Sequence, residues 1–216
     1  GLITYHRTDC TYISQAGISV AREYLAQKGL LDLFKPSHWG EQGTHEAIRP
    51  VYPLDTEELL KAIEEGLVSV VIPVTPRHLK LYDLIFKRFI ASQMKLFKAV
   101  KAVYSVIAPG LELARVELIT DIVETGFNAV IPVKVYRCLK GLDKFTAVVS
   151  GTKLLTASRI PLYSEGDVVV VMKKLGLGRP STYAKIIENI KRHGYVVESK
   201  NVKKLVPTKK GILVYE

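Results

Sequence analysis

The sequence predicts an α+β fold, with helices toward both ends of the chain and a β-rich stretch between them. Two observations predict it. Apolar residues recur at helical spacing between about residues 14 and 94, cluster in short runs from about 100 to 160, and return to helical spacing after residue 164. Apolar residues also make up 48% of the 216 and charged ones 24%, which is apolar surface enough to exclude intrinsic disorder. No run of 18 apolar residues and no charged-then-apolar leader occurs, so neither a membrane span nor a signal peptide is expected. The chain opens at Gly1, without Met and inside what reads as a strand, and is expected to be a piece of something longer.

Each element has a local reason. Residues 1–5 read as a short buried strand. Ser14 caps a helix carrying Ile18, Ala21 and Leu25, and Gly29 ends it. Residues 35–53, rich in Pro, Gly and His and holding the one Trp, read as a structured loop. Asp55 caps a second helix, with Glu58 three positions on as in a capping box. Thr75-Pro76 opens a long helix with a stripe of Tyr82, Ile85, Phe86, Phe89 and Ile90. Val103–Ile107, Val116–Leu118, Val130–Val135 and Phe145–Val149 read as strands, punctuated by glycines at 110, 126, 141 and 151. Asp167–Lys174 reads as a short helix. Pro180-Ser181 opens another, with Ser181 as its cap and Gly194 as its stop. Val196-Val197, Leu205-Val206 and Ile212–Val214 read as strands with basic turns. A helix followed by a basic hairpin is the outline of a winged-helix-like module.

Charge is unevenly placed. The formal net charge is +10. Residues 1–170 hold 20 basic and 18 acidic side chains, whereas residues 171–216 hold 11 basic and 3 acidic. Such asymmetry on a patterned, folded segment points to a polyanion partner, or more blandly to a solvated basic tail. The two cysteines, Cys10 and Cys138, match no zinc spacing and exclude a disulfide framework; a reducing, cytoplasmic compartment fits them. Asn, Gln and Met are scarce, which hints at a hot-living source.

Three stretches could carry chemistry. In Tyr5-His6-Arg7-Thr8-Asp9, Tyr5 and Arg7 share one face if the strand persists. A phenol is a weak nucleophile at neutral pH and needs cationic neighbours, and a guanidinium suits phosphate oxygens. The alternative is a buried tyrosine with a surface Arg7–Asp9 ion pair. In Gly43–Pro50, His45, Glu46 and Arg49 could move protons or bind phosphate, or form a loop ion-pair cluster. No second His follows at zinc-ligand spacing, and no metal site is expected in the chain. In Gly176–Ala184, glycines lead into a helix start, with Arg179, Ser181 and Thr182 as added donors for an anion. Neither a phosphate-binding GxxxxGK[ST] loop nor a strand-bound GxGxxG is present. Cys10 is expected to be a small packed residue.

In order and separation these stretches resemble the cleavage half of type IA DNA topoisomerases. The matching segments are GLITYHRTD at 1–9, THEAIRPVYPLD at 44–55, LYDLIFKRFIASQM at 81–94, LGRPSTYAKIIENIKRHGYV at 177–196 and LVPTKKG at 205–211. Within that family the phrase SEGDVVVVMKKLGLGRPSTYA at 164–184 and His6 after the tyrosine are similar to the reverse-gyrase branch. The resemblance implies a helical, winged-helix-like cleavage domain interrupted by a β-rich gate or arch. Residues 1–97 would be the tyrosine-bearing first part, 98–160 the arch insertion, and 161–216 the basic DNA-binding part.

The resemblance implies an isomerase that cuts one DNA strand through a 5′-phosphotyrosine bond on Tyr5, passes a strand and religates, changing supercoiling. Tyr5, Arg7 and His45 would be catalytic. Arg49, Arg179, Ser181, Thr182, Lys185, Lys191 and Arg192 would contact DNA. Mg²⁺ would be bound by a Toprim domain preceding the tyrosine, and ATP by helicase-like domains in the reverse-gyrase case, with no cofactor held by these 216 residues. Partners would be single-stranded and duplex DNA and the rest of the same polypeptide, with no membrane. Without the Toprim part this stretch is not expected to complete a catalytic cycle. Cys10 stands where the family usually has serine, and Tyr12 where a basic residue is common. A plain ATP-independent type IA topoisomerase and a non-catalytic winged-helix DNA-binding module are the competing readings.

Overall fold

The computed structural model describes residues 1–108, 111–142, 144, 146, 148, 150–154 and 161–215. They form two compact units, 1–146 and 147–216. In the first, three helices follow one another: α1 (Gln15–Gln27), α2 (Thr56–Glu64) and α3 (Pro76–Ser92). Their starts are fixed by side-chain caps. Ser14 accepts from the Gly17 N–H, and Asp55 with Glu58 and Thr75 with His78 form reciprocal capping boxes. Gly29, at φ +68, follows α1 in a left-handed conformation that costs glycine little.

Ile18, Ala21 and Leu25 of α1, Leu59 and Ala62 of α2, and Tyr82, Phe86, Phe89 and Ile90 of α3 meet in one buried cluster. Tyr24 meets Phe86 edge to face at 4.7 Å between centroids. Lys28, at the end of α1, reaches both Asp55 (2.9 Å) and Glu58 (2.7 Å) at the start of α2. The Gln93 side chain, fully buried after α3, donates to Ser37 O (3.0 Å) and accepts from Ser37 N–H (2.9 Å). It thereby pairs with the 35–40 loop as a backbone strand would.

Two long antiparallel strands follow, β1 (Lys98–Ala108) and β2 (Leu111–Glu124), with Lys98 opposite Glu124 and Tyr104 opposite Val116. Register shifts after Lys98, Val100 and Val106 bend the ribbon. At its base the chain passes so close to itself that a Cβ on Gly126 would collide with Leu96 C and Lys95 O. The second unit contains α4 (Glu165–Lys174), α5 (Tyr183–Arg192), β3 (Val196–Glu198), β4 (Leu205–Pro207) and α6 (Lys209–Tyr215). Met172, Ile187 and Leu205 are its buried apolar residues. Lys191 bridges Glu165 (2.6 Å) and Glu198 (3.2 Å), tying α5 to α4 and β3. No helix among the described residues is long and apolar enough to cross a membrane.

Four local expectations are corrected. Residues 1–5 form no strand; a single bridge joins Ile3 to Pro50, because the partner segment is itself a loop. Val130–Val135 forms no strand: the short 3₁₀ turn Phe127–Ala129 turns Phe127 and Val130 back onto the helical core, and Pro132 has no N–H for a ladder. Ile212–Val214 is helical. The Thr208 hydroxyl accepts from Gly211 N–H (3.1 Å) and caps that turn, and a side chain at Gly211 would collide with Tyr195 O. Ser181 does not cap α5; the N-cap position belongs to Thr182. The expected strand at Phe145–Val149 and the punctuating Gly110 lie wholly or partly outside the described residues.

Candidate active site

The site in the first unit is built by pairing two segments more than 40 positions apart. Thr4 N–H donates to Arg49 O (2.9 Å), and Val51 N–H donates to Leu2 O (3.1 Å). The Thr4 hydroxyl donates to Ala47 O (2.8 Å) and accepts from Arg49 N–H (3.0 Å). Residues 2–4 are thus clamped to 47–51. The clamp brings His45 beside Tyr5, with ring centroids 5.4 Å apart and planes inclined by 26°. His6 lies on the Tyr5 ring as well, at 5.1 Å. Tyr5 stays 63% exposed, not the buried tyrosine of the alternative reading.

A tight turn, with Arg7 N–H donating to Tyr5 O at 2.8 Å, carries the chain to Arg7. Its guanidinium holds Asp9 through two contacts, 2.8 and 3.3 Å. The bond to Arg7 keeps the Asp9 carboxyl below its ordinary range. The expected surface ion pair therefore exists, but beside an exposed Tyr5.

Glu46, adjacent to His45, anchors the loop. It accepts from Ser14 Oγ (2.6 Å), Arg49 Nε (2.9 Å) and Arg49 Nη2 (2.8 Å). Burial pushes its carboxyl up, but the hydrogen bonds from Arg49 and Ser14 outweigh that and hold it below the usual value. Arg49 is only 5% exposed, and its Nη1 donates to Pro50 O (2.8 Å). In this structure Arg49 holds the loop and presents no open face to a polyanion. A Cβ on Gly17 would stand 2.7 Å from Arg49 Nε, so the first turn of α1 leaves room for this guanidinium.

The remaining expected DNA contacts lie in the second unit. Arg179, Ser181, Thr182, Lys185 and Arg192 are exposed on the approach to α5 and along it. The Thr182 hydroxyl closes the turn, accepting from Arg179 N–H (2.8 Å) and donating to Arg179 O (3.0 Å). Gly178, at φ +76, has Ile186, Met172 and Tyr183 atoms within 3.0–3.3 Å of where a Cβ would sit. Lys191 is engaged by its two carboxylates, unlike Lys185. Arg192 donates to Asn189 Oδ1 (3.1 Å).

Sequence reasoning missed two groups near Tyr5. Ser14 reads as a helix cap, and nothing local shows that its hydroxyl also donates to a carboxylate 32 positions away. Trp39 and Arg88 share a cleft of about 540 Å³ with Arg7, Thr8 and Cys10. The exposure of a tryptophan was not readable from its loop.

The whole chain, residues 1–216, matches the family model described as DNA topoisomerase. Over its full length it is 44% identical to the reverse gyrase of Pyrococcus furiosus and 48% identical to reverse gyrase 1 of Sulfurisphaera tokodaii, covering 18% of each. Reverse gyrase 1 of Aquifex aeolicus is 44% identical over all of this chain and is again covered to 18%. The chain thus spans less than a fifth of the length of these relatives. Its fold is similar to that of full-length topoisomerase I from Thermotoga maritima, with a TM-score of 0.68 and 26% identity over 99% of this chain and 34% of that one. With a family match from end to end and reverse gyrases at this level of identity, the chain belongs to the type IA DNA topoisomerase family.

Proposed function

We propose that this chain carries the strand-cutting tyrosine of a reverse gyrase, and that Tyr5 is its nucleophile. One observation supports the assignment most: the exposed Tyr5 phenol, stacked on His45 and beginning the turn that bears Arg7. The phenol oxygen attacks a backbone phosphorus of one DNA strand. A phosphorus–oxygen bond to Tyr5 forms, the bond to the 3′ oxygen breaks, and that oxygen leaves as a 3′-hydroxyl after taking up a proton. The downstream strand remains joined through its 5′-phosphate. After strand passage the 3′-hydroxyl attacks the same phosphorus and Tyr5 leaves. The link conserves the phosphodiester, so religation needs no further energy source.

In this reading Arg7 exchanges Asp9 for the scissile phosphate, and His45 is stacked on the phenol ring. Preorganised donors of this kind are typically worth ~3–4 kcal/mol in other enzymes. Arg179, Ser181, Thr182 and Lys185, in the second unit, hold DNA backbone, contacts that position a strand without reading sequence. The order α4–α5–β3–β4 supports a winged-helix-like grip, and the β1–β2 ribbon the arch, with limits near 97 and 160. Mg²⁺ and ATP belong to Toprim and helicase-like parts outside these residues. Among the described residues no three His, Cys, Asp or Glu side chains could hold a metal. The site of action is the cytoplasm, with the chromosome.

The test supplies the chain with a Toprim-bearing partner and Mg²⁺, then adds a 3′-end-labelled single-stranded oligonucleotide. Denaturation should leave label covalently on the wild-type chain and none on Tyr5→Phe. DNA binding without an adduct from either protein would replace this reading with a non-catalytic binding module.

A further inference from the structure

Trp39 is held in an unusual way for so exposed a residue. Its φ of 61° lies in the left-handed region, which only one other non-glycine among the described residues enters. Strain of this kind persists only where the surroundings over-determine it, and it concentrates at ligand sites. The surroundings here are specific. The indole Nε1 donates to Ser92 O (3.0 Å), and the Trp39 N–H donates to Ser37 Oγ (3.2 Å). On one side Ser37 is paired with the buried Gln93 amide. On the other, Gly40 sits so tightly on Thr11 that a Cβ would collide with its hydroxyl. Yet the indole remains 65% exposed. A large apolar ring is thus fixed in place and left facing solvent.

Two clefts of about 540 Å³ share this indole and Arg88. One continues to Arg7 and Thr8, two and three positions after Tyr5; the other contains Lys35. Among the described lining residues neither cleft has a carboxylate. Arg88 is exposed and has no ion-pair partner among the described residues. A rigid aromatic face with cations on both sides has the chemistry of a single-stranded nucleic acid site, where bases stack and phosphates meet positive charge.

We propose that Trp39 is a stacking platform for one unpaired base of the cut strand, with Arg88 and Lys35 receiving the phosphates that flank it. The inference rests on Tyr5 acting on that strand, because the cleft begins at Arg7. It adds a base contact close to the cut that phosphate-holding residues alone would not supply. It also commits the surface to DNA instead of an apolar segment of protein.

Trp39 is the one tryptophan in the sequence, so its fluorescence reports the site directly. An oligothymidylate should quench it to saturation. An oligonucleotide of equal length with abasic sugars should bind through its phosphates and leave the emission unchanged. In anisotropy titrations with labelled oligothymidylate, Trp39→Ala should weaken binding roughly tenfold, within the range stacked bases reach elsewhere. Trp39→Phe should recover most of that loss, and circular dichroism should show both variants folded. Absent quenching, equal quenching by the abasic strand, or unchanged affinity of Trp39→Ala would overturn the proposal. The covalent-adduct assay on Tyr5 is read separately. An adduct without quenching removes only the stacking site, whereas quenching without an adduct removes the proposed reaction.

Discussion

The Arg7 guanidinium is engaged by Asp9, and in the proposed reaction a phosphate at Tyr5 must displace that carboxylate. Replacing Asp9 with Asn leaves Arg7 available, so single-stranded DNA should bind a few-fold more tightly, measured by anisotropy; exposed pairs are too weak for more. Glu46 works in the opposite sense, because its partner Arg49 is buried and cannot turn to water. Glu46→Gln should destabilise the fold by ~1–3 kcal/mol in urea unfolding, the typical result of leaving a buried donor ill-matched. The pH dependence follows from the same carboxyl. Its folded value lies below the ordinary 4.5, so the stability it contributes is complete above that value. It is lost as pH falls through the folded value. Wild-type protein should therefore lose stability more steeply than Glu46→Gln on acidification below about 4.5.

At the level of elements, glycine marks where the β1–β2 ribbon is rooted. The backbone at Gly126 touches that of Lys95 and Leu96, and no rotamer change can relieve a clash between main chains. Gly126→Ala should lower the urea midpoint by the equivalent of ~1–3 kcal/mol, as overpacking does elsewhere. Much of this level was legible in advance for a physical reason: capping is local. Ser14, Asp55 and Thr75 each accept from an N–H within three residues, so their helices could be placed from adjacent letters. Val130 and Ile212 were misread because a short apolar run fits a strand or a helix equally, and only distant packing decides. The Tyr5–His45 stack depends on Thr4 bonding to Ala47 and Arg49, over 40 positions away, and no periodicity encodes it. There the order of motifs shared with the family supplied what local pattern could not. Trp39 lacked even that, since what singles it out is exposure and strain.

Across the whole molecule the asymmetry of charge has a measurable form. The last 46 residues carry a surplus of eight positive charges, and salt should weaken DNA binding accordingly. Log affinity should fall linearly with log salt concentration, by about 0.7 for each single-strand phosphate contacted. Lys185→Ala, on the exposed side of α5, should reduce that slope by about 0.7. Lys191→Ala should instead lower the melting temperature, because it leaves Glu165 and Glu198 without the ammonium between them. The two lysines thus separate attraction of DNA from cohesion of the second unit.

The sealed position of Gln93 bears on how the molecule ages. Direct hydrolysis of a side-chain amide, one form of damage in proteins kept hot, needs water at the carbon under attack. At Gln93 none reaches it. Were the amide lost, the resulting carboxylate could not donate to Ser37 O, and burying its charge would be costly. Burying this one side chain therefore protects the posture of the 35–40 loop against direct hydrolysis of the amide that holds it.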